Sequence, residues 1–173
     1  MKTVRTSVFD FSDAIDAVDE LINGLDRRLR TLLERMADEG IKVASARFGS
    51  AQYDGPNDVS VRGPVWISDT RLAISAEGRH VTFIEFGAGA LNPGPHHPRA
   101  AKLGMIRGKF GKGRGMREKW YYKGSASDAR AGGIEVRTGV IETRGNGANM
   151  GMYEAGKAMR DAIARLAGEV FGG

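Results

Sequence analysis

The chain has 173 residues, enough for one domain with a real hydrophobic core, and 41% of them are hydrophobic. It contains no cysteine, which excludes disulfides, zinc–thiolate sites and thiol nucleophiles and suits a reducing compartment. The net charge is +5, yet the stretch 99–123 alone carries +8, because nine basic residues face one acid, Glu118; the remainder is therefore a mildly acidic body at −3.

The opening residues are charged, and no long apolar stretch follows them, which predicts a chain without an ordinary secretory signal. No apolar run reaches the roughly 18–20 residues needed to span a bilayer. These features predict a soluble, intracellular protein.

Ser12 and Asp13 are suited to capping a helix that is expected to end near Gly40. Within it Ile15, Val18, Ile22, Leu25, Leu29, Leu32 and Met36 alternate spacings of three and four, and Leu21 and Leu33 widen the stripe. An amphipathic helix lying on its own sheet is favoured over an intermolecular seam. Gly24 weakens the helix and can mark close packing.

Ile41 to Phe48 reads as a strand, and a second strand over Val59 to Ile67 follows the turn Asp54-Gly55-Pro56-Asn57. Pro64 marks an edge or a break there. Arg71 to Ala76 and His80 to Phe86 read as two arms of a hairpin joined through Glu77-Gly78-Arg79. A short hairpin is predicted over Ile134 to Val136 and Val140 to Thr143, turning at Thr138-Gly139. The last element is a helix, roughly Met152 to Val170, with a stripe of Met152, Gly156, Met159, Ile163, Leu166 and Val170. The expected fold is α+β: an antiparallel sheet flanked by a long N-terminal helix and a C-terminal helix, in a single domain over 1–173. The basic glycine-rich segment 99–123 is expected as an inserted loop that cannot pack into a core.

Motif chemistry is sparse. The glycines of Gly108-Lys-Phe-Gly111-Lys-Gly113-Arg-Gly115 lack the strand, the spacing and the following Ser or Thr of a phosphate loop. Glu85, His96 and His97 form the only cluster resembling a metal or acid–base site, but the adjacent histidines sit in a turn-rich Pro/His loop without the helical spacing of a zinc protease. A structural role is preferred, with Glu85 on a sheet bonded to backbone or a partner and the histidines on a surface loop. Hence no catalytic residue, no metal and no cofactor are assigned. The basic residues Arg99, Lys102, Arg107, Lys109, Lys112, Arg114, Arg117 and Lys119 fit contact with a polyanion, DNA or an acidic partner, while Phe110, Trp120, Tyr121 and Tyr122 offer stacking surfaces. Trp120 to Tyr122 also read as a strand re-entering the core. A solvated loop without a ligand is the plain structural alternative.

From Ile74 to Gly89 the chain reads Ile-Ser-Ala-Glu-Gly-Arg-His-Val-Thr-Phe-Ile-Glu-Phe-Gly-Ala-Gly and then enters the Pro/His loop at 93–98. Trp120, Thr143-Arg-Gly145 and Ala148-Asn-Met-Gly-Met-Tyr-Glu-Ala155 follow. This series resembles the tail-completion, or head–tail joining, proteins of long-tailed bacteriophages, over roughly residues 10–171. The family's short motif after the first helix is echoed only by Ser68-Asp-Thr70. The resemblance implies a non-enzymatic virion protein assembled in the host cytoplasm. It implies a ring of identical subunits in the neck, between the head connector or stopper and the tail-terminator or tail-tube proteins, with genomic DNA passing through the axis and no membrane involved. Glu85, Phe86, Gly87 and Gly89 are then expected at a subunit or partner interface. A free-standing nucleic-acid-binding protein using 99–123 is the alternative.

Overall fold

The computed structural model describes residues 12–172; the charged opening segment and the side-chain cap at Ser12 and Asp13 lie outside what is described. Helix α1 runs from Ser12 to Gly49, nine residues past Gly40, so the expected strand over Ile41 to Phe48 is instead helix. The reason lies in packing. Ala37, Gly40, Ala44 and Phe48 repeat at helical spacing, all buried, and local β-branched content gives way to that tertiary demand. Gly40 does not stop the helix. A side chain there would meet Met159 Sδ at 2.8 Å and Ile74 Cδ1 at 2.9 Å, so the glycine lets α1 approach the second helix and the hairpin.

Strands β1 (Ser60–Ser68) and β2 (Arg71–Glu77) form an antiparallel hairpin, with Ser60 opposite Glu77 and Ser68 opposite Arg71. The register shifts between Arg62 and Val65, at the break expected from Pro64. The arm expected over His80 to Phe86 is instead helix α2 (Val81–Phe86), and β2 pairs with β1. Ile84 and Glu85 are adjacent and both buried, a demand that alternating strand geometry opposes and a helical turn meets. At the preceding corner, Asp58 accepts the backbone N–H groups of Arg79 and His80 at 3.0 and 3.3 Å, Arg79 Nε at 3.2 Å and His80 Nδ1 at 3.1 Å. Burial alone would raise the Asp58 pKa, but these hydrogen bonds outweigh it and hold the carboxyl well below the usual range.

A second, three-stranded sheet has the order β3 (Trp120–Lys123), β5 (Val140–Thr143), β4 (Ile134–Arg137), all antiparallel. The β4–β5 hairpin and the strand at Trp120 match expectation. Helix α3 spans Gly151–Phe171 and packs along the second half of α1. Ala44, Phe48, Ala51, Ile84 and Ala155 form the core, with Ile74, Val81 and Met152 against it. The class is α+β as expected, but with two small sheets in place of one.

The stripe on α1 divides. From Ile15 onward, Leu32 is the first residue of the helix to be buried; Ile15, Val18, Leu21, Ile22 and Leu25 remain 49–63% exposed. Only the second half of α1 lies on its own body.

Candidate functional site

The motif Phe83 to Gly89 folds into a corner that joins α2 to the start of α3. The Ile84 and Glu85 carbonyls accept the Asn149 and Met150 N–H groups at 2.9 and 3.2 Å. Beyond α2, Ala88 and Asn146 exchange both backbone hydrogen bonds at 2.9 Å. Gly89 (φ 84°) and Gly145 (φ 87°) stand in this contact: a Cβ on Gly89 would strike the Arg144 carbonyl, and one on Gly145 the Ala88 carbonyl.

Glu85 sits on α2 and not on a sheet, and it does bond to backbone. Its two oxygens accept the Met152 and Tyr153 N–H groups at 2.9 and 3.0 Å, two of the otherwise orphaned donors in the first turn of α3. The carboxylate thus lies at the positive end of a 21-residue helix. His97 Nε2 lies 3.3 Å from Glu85 Oε1, and both side chains are buried. His97 Nδ1 accepts the Arg99 N–H at 3.0 Å, which places a ring proton on Nε2, facing the carboxylate. Phe86 and Tyr153 pack on the same imidazole, with ring centroids 4.4 and 5.3 Å away. His97 therefore belongs to the interior, whereas the expectation placed it on a surface loop.

His96 turns the other way. Its Nε2 accepts from Arg107 Nη2 at 2.6 Å, so the two histidines and Glu85 do not converge; among the described residues no group of three or more His, Cys, Asp or Glu side chains is placed to hold a metal. Arg107 itself corrects the reading of the basic segment, because it is only 5% exposed. It donates to the Gly94 carbonyl at 3.1 Å and to Asn92 Oδ1 at 3.4 Å, with the Asn146 carbonyl at 3.5 Å, and no described carboxylate pairs with it. Burial lowers its pKa, but a guanidinium remains charged and carbonyl oxygens receive it. Arg107 thus fastens the Pro/His loop to the Asn146 corner.

Later parts of 99–123 are tied to the body as well. Phe110 stacks on Phe83 at 5.2 Å between centroids, the Gly115 carbonyl accepts the Ala90 N–H at 2.7 Å, and the last four residues are strand β3. The segment is therefore no free insertion. Its charge is tolerated because Arg99, Lys102, Lys109, Lys112, Arg114, Arg117 and Lys119 all remain at exposed positions. They do not form one patch. Arg99 lies over the Tyr153 ring at 5.8 Å, whereas Lys112, Arg114, Arg117 and Lys119 border a shared hollow with Trp120 and Tyr121. Lys119 is engaged by Glu142 at 3.0 Å, a bond that raises the lysine pKa and lowers that of the glutamate.

Lys112 and Arg114 also rim a deeper cleft of about 510 Å³, lined by half-buried Tyr53, Phe83, Phe110, Trp120 and Tyr122. Asp54 anchors its floor, accepting Thr143 Oγ1 and the Ala131 N–H, each at 2.6 Å. Burial, followed by the charges of Asp58 and Asp54, pushes the Tyr53 pKa up to about 12; burial followed by Asp54 does the same for Tyr122. Both phenols stay protonated, and Tyr122 donates to the Asp128 carbonyl at 3.1 Å. Sequence reasoning missed this cleft, since its walls come from positions 53–56, 83, 110–115, 120–122 and 143–146. A hint was the pairing of Phe110 with cations inside a glycine-rich run.

No family model, curated protein or solved structure matches the chain. Among the described residues, no helix is long and apolar enough to cross a membrane.

Proposed function

We propose that this chain is a structural protein of a bacteriophage virion that joins the head connector to the tail. It would act as a ring of identical copies around the DNA channel, between a connector or stopper and a tail-terminator or tail-tube protein, after assembly in the host cytoplasm. No chemical transformation is assigned to it.

The observation that carries this reading is the first half of α1. It presents an apolar face to solvent along a helix whose second half packs the same stripe on its own body, the condition of a subunit completed by its neighbours. The resemblance adds support, because most of its landmarks, though not Trp120 on β3, lie together. Phe83 to Gly89, the Pro/His loop, Gly145 and Ala148 to Ala155 all meet at the corner that fixes α2 against α3. In that corner Glu85, Phe86, Gly87 and Gly89 all contact their own chain, and the part we assign them is to shape an interface, not to touch the partner. A DNA-binding role for the basic segment is the second reading, favoured by the gathering of Lys112, Arg114, Arg117 and Lys119 with two aromatic rings.

The test is a phage lysate in which this gene alone is interrupted, viewed by negative-stain electron microscopy. Full heads and complete but separate tails are expected. Intact joined particles at ordinary frequency would exclude the neck role.

A further inference from the structure

The two unexplained surfaces of the molecule are complementary. The exposed half of α1 shows Ile15, Val18, Leu21, Ile22 and Leu25 between Asp16, Asp19, Glu20 and Asp26, with no basic residue before Arg27. None of these four acids has an ion-pair partner among the described residues. The aromatic cleft is mostly apolar inside, with the Asp54 carboxylate taken up by Thr143 and Ala131 at its floor, and cationic at its edge, where Lys112, Arg114 and, beside them, Arg117 are exposed and likewise unpaired among the described residues.

We propose that the acidic, apolar first half of α1 in one copy seats its leucines in the aromatic cleft of the next copy, with its carboxylates against Lys112, Arg114 and Arg117. This deepens the ring reading and rests on it for its biological setting.

Geometry makes the contact intermolecular. The cleft begins at Tyr53, just past the C-terminal end of α1, whereas Leu21 lies 28 residues before Gly49, about 42 Å away along a helix. A chain cannot bring one end of a straight helix to the other, so each copy must offer its helix to a neighbour. Charge then selects the cleft over a second helix. Two copies of the acidic half laid side by side would oppose like charges along the seam, whereas the cleft rim neutralises them. Because the helix and the cleft are different surfaces on each copy, the contact is heterologous, and a fixed rotation between copies closes it into a ring.

The absence of cysteine permits a direct test with the full-length chain. Asn23→Cys, beside the apolar stripe, and Met116→Cys, beside the cleft rim, are placed on separate preparations of distinguishable mass, mixed at about 1 mM and treated with a short bis-maleimide. Cross-links between the two different variants are expected to predominate. The combined change Asp19→Lys, Glu20→Lys and Asp26→Lys on the Asn23→Cys chain should lower that yield about tenfold or more. Adding Lys112→Glu, Arg114→Glu and Arg117→Glu to the Met116→Cys chain should restore it. All the altered side chains are exposed, and unchanged circular dichroism and melting temperature verify that each variant is folded. Predominant Asn23→Cys homodimers would overturn the proposal in favour of a helix seam. Failure of the reversed pair to rescue, or the absence of mixed cross-links, would also overturn it, the latter pointing to nucleic acid if the rim binds a labelled DNA oligonucleotide instead. The contact and the neck role fail separately. Mixed cross-links with normal joining in the interrupted phage remove only the role, whereas unjoined particles without mixed cross-links remove only the contact.

Discussion

Replacing Glu85 with alanine is expected to remove about 3–5 kcal/mol of stability, the cost of breaking a buried charged network on one side. The buried carboxylate satisfies the half-buried Met152 and Tyr153 N–H groups and faces the buried His97 Nε2 proton. Alanine leaves those donors without acceptors and removes the negative charge from the positive end of α3. Glu85→Gln should cost roughly half as much, since one carbonyl oxygen still accepts while the amide turns a donor toward a donor. For a chain of this size the alanine variant should lose about 10 °C or more in Tm, followed by circular dichroism. His97→Ala and Glu85→Ala should combine non-additively, because they remove the same contact. An alanine variant melting with the parent would show that Glu85 does not hold α3.

The second large effect concerns Gly145. Gly145→Ala should cost about 3 kcal/mol or more, from a positive φ of 87° together with a Cβ driven into the Ala88 carbonyl. The backbone cannot withdraw, since Ala88 and Asn146 are bonded to each other in both directions at 2.9 Å. Gly104 separates the two causes. Its φ is 69°, but a Cβ there meets nothing within 4 Å, so Gly104→Ala should cost only the left-handed penalty of about 1–2 kcal/mol. Denaturant midpoints of the three chains decide the matter. Equal losses at the two glycines would mean that close approach at the corner contributes nothing. A much larger loss at Gly145 would locate the constraint between residues 88–89 and 144–146.

Much of the architecture was legible wherever local preference and tertiary packing agree. The last helix, the β1 and β2 segments, the β4–β5 hairpin and the strand at Trp120 all lie where patterning put them. The two misread segments share a cause. Ile41 to Phe48 and His80 to Phe86 are rich in β-branched or aromatic residues, yet the first is held in helix by Ala44 and Phe48 in the core, and the second by the joint burial of Ile84 and Glu85. A hairpin partner assigned by proximity in sequence was wrong for the same reason: once 80–86 is helical, β2 has only β1 beside it.

The site was less legible than the fold. The excess of charge in 99–123 was plain, but charge does not reveal that Arg107 points inward to carbonyl oxygens while its neighbours point out. The roles of His96 and His97, adjacent in sequence, separate only in three dimensions, one meeting Arg107 and the other Glu85. The cleft joins residues almost a hundred positions apart and has no local signature. The stripe on α1 was visible as spacing, but that spacing is continuous through the point where the helix leaves its own body. Only the fold shows that the first half of this stripe stays exposed.

The claim that this molecule works by docking to its own copies in a virion neck is tested most directly by electron cryo-microscopy of purified particles. A closed ring of this chain is expected, coaxial with the DNA channel between connector and tail, with the first half of each α1 against the adjoining subunit's aromatic cleft. A neck reconstruction whose rings are all accounted for by other chains would contradict it.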